Sequence, residues 1–457
     1  MVYAGGHLSG GHLNPAVSTA LFLRGSFSPE DSPFQKPVID YSLYMCTQVV
    51  AGFVAGGVAF AVTTDGNGYP SIGDDYKTWQ ALVVEIVLTN ALCTVVLNSA
   101  TTAASANNSY FGLAIGFTVL SGALSVGDIS GGAFNPAVGM LALIRSGDHR
   151  QDVWIYILGP FIGAVIAAAM FHITNFKERN PGEESAIAKH IAPLLFEFYG
   201  TFMLCFTIAM AARSYPSSHD TSLAPLSIGS MLMAMVYAGG HVSGGEYNPA
   251  VTVALLIRFR GIAQEVNPAV KTLSYIIIQI MGGFTAAGLA YSIQQKDIGF
   301  PDYDNTKYYD ALVSEFLFTF ALCHSVLNSA TVTGTAANSY FGLTIGFTVV
   351  AGAVTVGSIS GGAFNPAVAT TLPVVAGDAC HIWVYWTGEI VAAVAAALLF
   401  RFANIDEFAA TRGRKYSAHM EGTETRGRSN TYNIHHGPEH STTYSAPEPF
   451  ENDEGRS

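Results

Sequence analysis

Four short stretches of this 457-residue chain place an asparagine at the head of an apolar run. They are Asn14-Pro15-Ala16, Asn135-Pro136-Ala137, Asn248-Pro249-Ala250 and Asn365-Pro366-Ala367, each with Ser-Gly-Gly just upstream. Asparagine is favoured as a helix N-cap and proline at the first helical position, so each motif starts a helix. The glycine pair permits the sharp turn before the cap. An asparagine side chain offers one acceptor and two amide donors. The chemistry available is therefore neutral hydrogen bonding to a passing oxygen. The sequence pairs no nucleophile with a base and holds no phosphate loop, which argues against an enzyme. It has no Cys/His cluster at metal-ligand spacing and implies neither a metal nor another cofactor. The five cysteines, Cys46, Cys93, Cys205, Cys323 and Cys380, read as structural thiols.

The elements around these motifs read as membrane spans. Charged residues make up 12% of the chain and apolar residues 50%, whereas a soluble domain carries about 25% charged residues. A net charge of −12 with no basic stripe argues against nucleic acid as a partner. The charge is also uneven: Ile405 to the end holds six Lys/Arg and nine Asp/Glu, leaving fifteen and twenty-four for the preceding residues. A span needs about 20 apolar residues. Ten segments qualify: Ile39–Val62, Gln80–Ala100, Tyr110–Gly127, Val153–Asn175, His190–Ala212, Leu223–Gly240, Thr272–Gln295, Tyr308–Ala330, Tyr340–Gly357 and Ile382–Ala403. A soluble bundle would need polar outer faces on such helices. Gly52-xxx-Gly56, Gly112-xxx-Gly116 and Gly342-xxx-Gly346 permit close helix contact.

The chain also repeats itself. Asn108-Ser-Tyr-Phe-Gly-Leu113 returns as Asn338-Ser-Tyr-Phe-Gly-Leu343, and Ile129 to Val138 returns unchanged at Ile359 to Val368. Met1 to His7 returns at Met235 to His241. The first copy reads as four spans and the second as six. Three spans separate the two asparagine motifs within each copy, and an odd number inverts the second motif relative to the first. Inverted repeats with interrupted segments point to a transport path near the membrane midplane. The apolar run after Asn248 lasts from Pro249 to Ile257, where Arg258 interrupts it. About nine residues at 1.5 Å rise cover less than half of the membrane core, so each motif reads as a re-entrant half-helix. Two such helices would meet N-terminus to N-terminus, each end carrying about half a positive charge, a field that repels protons and cations. Such exclusion is a known device of channels of this type.

On these motifs the chain resembles the aquaporin and aquaglyceroporin family, the major intrinsic proteins, over essentially all of residues 1–403. The resemblance implies an all-α membrane fold. Each module would be a right-handed bundle of six helices with two re-entrant half-helices, and four pores would commonly assemble together. It implies that Glu197, Glu315 and its first-copy counterpart Glu85 hydrogen-bond the re-entrant loops. It places the narrow filter at Ile228, Ala353, Gly362 and Val368, with Ala123, Gly132 and Val138 as first-copy counterparts. The family's usual arginine after the second motif is Val138 in one copy and Val368 in the other. The filter thereby loses a charge, a donor and bulk. The expectation is a wider pore passing water and small neutral solutes such as glycerol, urea, ammonia or hydrogen peroxide. Two further departures stand out. The family's common histidine before the first motif is His12 in the first copy but Glu246 in the second. Glu246 reads either as a solvated acid or as a group that tunes conduction with pH. Gly159-Pro160 in the last span of the first copy becomes Gly388-Glu389 in the second, with no role evident for Glu389.

The expected organisation is a module over 1–176, a linker over 177–189, a complete module over 190–404 and a disordered cytoplasmic tail over 405–457. The first module reads as incomplete, so either it does not conduct or two further spans precede Met1. Both ends would be cytoplasmic, with Arg24, Lys36, Arg258 and Lys271 on the inner side, as the positive-inside bias favours. Expected partners are the lipid bilayer, water and small neutral solutes, and other copies of the chain in a four-pore assembly. Plasma membrane and vacuolar or other internal membranes both remain open. A non-conducting adhesion or scaffold role and a coupled transporter are the alternatives. A coupled transporter would want a carboxylate or histidine at the midplane, where this chain has asparagine amides.

Overall fold

The computed structural model describes residues 1–27, 35–62, 69–143, 151–180, 185–212, 222–260, 266–295, 298–335, 338–405 and 407. The tail read over 405–457 lies outside them except for Ile405 and Glu407. Among the described residues there is no strand. Ten long helices form at the ten expected spans: Pro37–Val62, Thr78–Ala100, Phe111–Ser130, Val153–Thr174, Ala192–Ala211, Ala224–Gly239, Pro268–Ile293, Tyr308–Ala330, Phe341–Ser360 and Ile382–Ala403. Among the described residues, nine helical stretches are long and apolar enough to cross a membrane, with mean hydropathy from 1.4 to 2.1. The tenth helix, Ala224–Gly239, has 16 residues and is buried along almost all of them. Sixteen residues span about 24 Å at 1.5 Å rise, so this helix is short for the core and must be covered by protein. Pro37–Val62 has no buried residue, and its Val50, Val54, Val58 and Phe60 side chains are exposed.

The asparagine motifs start short helices, as their cap chemistry requires. Pro15–Arg24 has 10 residues, and Pro249–Phe259 and Pro366–Ala376 have 11 each. The fourth, Pro136–Gly139, continues into a 3-10 turn over Met140–Leu143. In all four the asparagine Oδ1 accepts the amide N–H of the alanine two residues on, at 2.9–3.0 Å. Such a cap stabilises a helix by about 1 kcal/mol. Eleven residues rise about 16 Å, half of the apolar core.

The turn into each cap is left-handed at three residues. Gly361 and Gly362 lie at φ 77° and 63°, and the next motif residue but one, Phe364, lies at 49°. A Cβ on Gly361 would sit 2.5 Å from the backbone of Pro301 and Asp302, so glycine is required there by space as well as by angle. Leu13, Phe134 and Tyr247 share the positive φ of Phe364, at 52°, 46° and 47°. That conformation costs a non-glycine residue about 1–2 kcal/mol.

Helices of the two copies pack together. Thr78–Ala100 and Phe111–Ser130 lie against Ala192–Ala211 and Ala224–Gly239. Ser121 Oγ donates to the Ser227 carbonyl at 2.8 Å, and Ser227 Oγ returns the bond at 2.9 Å. Tyr110 stacks on Tyr237 with ring centroids 4.1 Å apart, and Tyr199 Oη donates to Asn90 Oδ1 at 2.7 Å. Within the second copy, a Cβ on Gly346 would lie 2.4 Å from the Gly229 carbonyl, the close approach that its spacing suggested. Gly116 differs: nothing lies within 4 Å of its Cβ position. Cys46 and Cys380 are exposed, the other three cysteines are buried, and all five are free thiols.

Candidate functional site

In the second copy the two asparagine loops face and hold each other. Asn248 Nδ2 donates to the Phe364 carbonyl at 2.7 Å, and Asn365 Nδ2 donates to the Tyr247 carbonyl at 2.9 Å. Each asparagine therefore caps its own helix with Oδ1 and grips the opposite loop with one N–H. An amide has two N–H groups, so one per asparagine is left over. The accepting carbonyls belong to the strained left-handed residues. Sequence reasoning missed this lock, because its partners lie more than a hundred residues apart. The first copy repeats it: Asn14 Nδ2 donates to the Phe134 carbonyl at 2.8 Å, and Asn135 Nδ2 to the Leu13 carbonyl at 3.1 Å.

Buried carboxylates hold three of the four loops. Glu315 accepts from Ser360 Oγ at 2.6 Å, the Ala363 amide at 3.1 Å and the Phe364 amide at 2.7 Å. Glu85 accepts from Ser130 Oγ and the Ala133 and Phe134 amides at 2.7, 2.9 and 2.7 Å. Glu197 accepts from Ser243 Oγ, the Glu246 and Tyr247 amides and Gln279 Nε2 at 2.6, 2.9, 2.7 and 2.9 Å. All three are fully buried. A buried charge is tolerated when its lone pairs are met by donors, as here. Among the described residues, no carboxylate accepts the His12 or Leu13 amide of the remaining loop.

A second set of supports was not read from the sequence. Tyr275 Oη donates to the Ser243 carbonyl at 2.9 Å, and Tyr385 Oη to the Ser360 carbonyl at 2.7 Å. Four residues beyond each tyrosine stand Gln279 and Glu389. The signal was available as Tyr-x-x-x-Gln and Tyr-x-x-x-Glu in the two helices that follow the motifs, with Tyr156-x-x-x-Pro160 in the first copy.

Ile228, Ala353, Gly362 and Val368 line a single cavity of about 900 Å³ together with Asn248 and Asn365. Pro301, Asp302, Glu246, Val326 and Ile345 also line it. Its wall is mainly apolar. In the first copy, Asn14 and Asn135 share a cavity of about 470 Å³. Ala123, Gly132 and Val138 do not line it, and Val138 is 37% exposed.

Glu246 corrects the solvated-acid reading. It is buried, and its Oε1 accepts from Lys271 Nζ at 3.2 Å. Its first-copy counterpart His12 is half-buried, with Nδ1 3.2 Å from Ser18 Oγ and its ring stacked on Tyr44. Among the described residues, no group of three His, Cys, Asp or Glu side chains is placed to hold a metal.

The chain is similar in sequence to known proteins. The family model described as "Major intrinsic protein" matches residues 1–172 and 184–400. Aquaporin-4 of Mus musculus is 29% identical over 245 residues, covering 52% of this chain and 73% of that protein. Aquaporin NIP1-1 of Zea mays is 32% identical over 180 residues, covering 39% of this chain and 60% of that protein. Nodulin-26 of Glycine max is 27% identical over 192 residues, covering 42% of this chain and 67% of that protein.

Proposed function

The chain belongs to the major intrinsic protein family, and from that premise we propose that its 190–404 module conducts water and small neutral solutes while excluding protons and ions. It is an integral, multi-pass membrane protein and a channel for water or small solutes, not an enzyme. The observation that carries the finer reading is the placement of Asn248 and Asn365 in one cavity, each with one N–H tied to the opposite loop. The second N–H of each amide donates to a permeating oxygen. A water held by both amides has used its lone pairs and cannot relay a proton. The inward N-termini of Pro249–Phe259 and Pro366–Ala376 add a positive field against cations. Glu197 and Glu315 hold the two loops rigid, and Glu85 does so in the first module, 1–176.

Ile228, Ala353, Gly362 and Val368 form the filter. Its width follows from Gly362 and Ala353, and its lack of a fixed charge from Val368. A wide apolar constriction admits glycerol and urea as well as water. Stopped-flow light scattering on vesicles holding the purified chain tests this: flux of all three supports it, and water flux without glycerol or urea flux contradicts it.

The packing of 78–100 and 111–130 on 192–211 and 224–239 supports a four-pore assembly built from this chain. The second copy's equivalent helices, 308–330 and 341–360, expose Leu317, Phe347 and Val354. A second chain would cover that face in the same way. Cross-linking or native mass of the detergent-solubilised protein tests it, with two chains per particle expected and one contradicting the reading.

A further inference from the structure

Glu389 is fully buried beneath the Asn365 loop. Its Oε1 accepts the Asn365 amide N–H at 2.8 Å, while its Oε2 is enclosed and receives no donor. A Cβ on Gly388, the residue before it, would lie 3.4 Å from the Glu315 Cβ, and this packing brings the Glu315 carboxyl alongside Glu389. Glu315 already accepts three donors, two on Oε1 and one on Oε2. Two ionised carboxylates have no proton to give each other, and adjacent like charges away from water are strongly disfavoured. A single proton resolves both difficulties. Glu315 is surrounded by donors and keeps the negative charge. The vacant Oε2 of Glu389 takes the proton and donates it to Glu315.

The other half of the pore uses a neutral group at the same place. Gly163 of the first copy packs on the Ile86 carbonyl, one residue past Glu85, and Gly282 packs on the Phe198 carbonyl, one past Glu197. Three residues before these glycines stand Pro160 and Gln279. Gly159, next to Pro160, packs on the Glu85 Cβ, and Gly388, next to Glu389, packs on the Glu315 Cβ. Glu389, Pro160 and Gln279 are therefore equivalent positions. Tyr275 and Tyr385, four residues earlier, make equivalent bonds to Ser243 and Ser360. Gln279 Nε2 donates to Glu197 Oε2 at 2.9 Å. A protonated glutamic acid has nearly the shape of glutamine and keeps one donor and one acceptor.

We propose that Glu389 is a positioning residue held as the neutral acid, its Oε2–H donating to Glu315 while its Oε1 holds the Asn365 backbone. One side chain thus ties the loop's carboxylate support to the pore asparagine itself. What it positions rests on the channel reading; that it carries a proton does not. Pro160 cannot serve this way in the first copy, since its side chain has neither donor nor acceptor. The groups facing Glu389 are Glu315 and Cys323 on the 308–330 helix and Tyr385 on its own helix. The 366–376 helix carries no titratable residue, and Arg258 of the 249–259 helix lies over the Phe400 ring, three turns away.

Infrared spectra of the reconstituted protein at neutral pH provide the direct test. The wild type is expected to show a protonated-acid carbonyl band that shifts in deuterium oxide and is missing from Glu389→Gln. Glu389→Gln is expected to match the wild type in melting temperature and water flux, while Glu389→Ala loses flux severalfold. Strongly alkaline pH is expected to lower wild-type flux by charging the pair, and to spare Glu389→Gln. An infrared band unchanged in Glu389→Gln would overturn the inference, as would Glu389→Gln melting or conducting as poorly as Glu389→Ala. A protein that shows the band and the melting pattern yet passes no water supports the protonated acid and overturns the channel reading.

Discussion

Asn365 donates its side-chain amide to the Tyr247 carbonyl at 2.9 Å, across 118 residues of sequence. The acceptor sits at φ 47°, a left-handed residue without glycine's freedom. The site thus holds strain at the point where the two half-helices meet, and Asn248 to Phe364 closes the reciprocal bond.

Asn365→Asp separates the cap from the lock. Aspartate still accepts the Ala367 amide but offers no N–H to Tyr247. The expected cost is about 1–3 kcal/mol for the buried carbonyl left unpaired, read as a lower melting temperature in detergent, with a drop in water flux. Asn365→Ala also loses the cap and is expected to melt lower by about a further 1 kcal/mol.

Val368→Arg adds charge and bulk at the proposed filter. Water flux is expected to persist, while glycerol and urea flux fall about tenfold, equivalent to about 1.4 kcal/mol of added barrier. Solute uptake in vesicles measures both. Equal glycerol flux in the two proteins would place the constriction elsewhere.

Glu315→Ala strips three buried donors of their acceptor, each worth about 1–3 kcal/mol. Glu315→Gln keeps one acceptor oxygen. The alanine variant is expected to express poorly or melt far below the glutamine variant, which itself melts below wild type. Thermal unfolding of the three proteins checks the order.

Gly346→Ala puts a methyl 2.4 Å from the Gly229 carbonyl, whereas Gly116→Ala meets nothing within 4 Å. The first is expected to destabilise by about 1–3 kcal/mol as an overpacked contact. The second is expected to leave the melting temperature unchanged.

The spans were legible because each is a long local run with little charge, and the four caps because Asn-Pro is local chemistry. Glu85, Glu197 and Glu315 were legible through the family resemblance, which implies acids that hydrogen-bond the loops. The interlock of Asn248 with Phe364 was not legible: its acceptor is a backbone carbonyl, and backbone carbonyls carry no residue type. Gln279 and Glu389 were hidden for a related reason. Each acts on a carboxylate of a different helix, 82 residues away for Gln279, and only the fold makes the two positions equivalent. Glu246 read as solvated because sequence cannot show that Lys271 reaches it across a loop.

Paired water and proton fluxes test the central claim most directly. Vesicles holding the full chain are loaded with a pH-sensitive dye and followed under an osmotic step and under a pH step. The expected result is water flux well above that of empty vesicles, with proton flux equal to theirs. Water flux no faster than through bare lipid, or proton entry that rises with protein content, would contradict it.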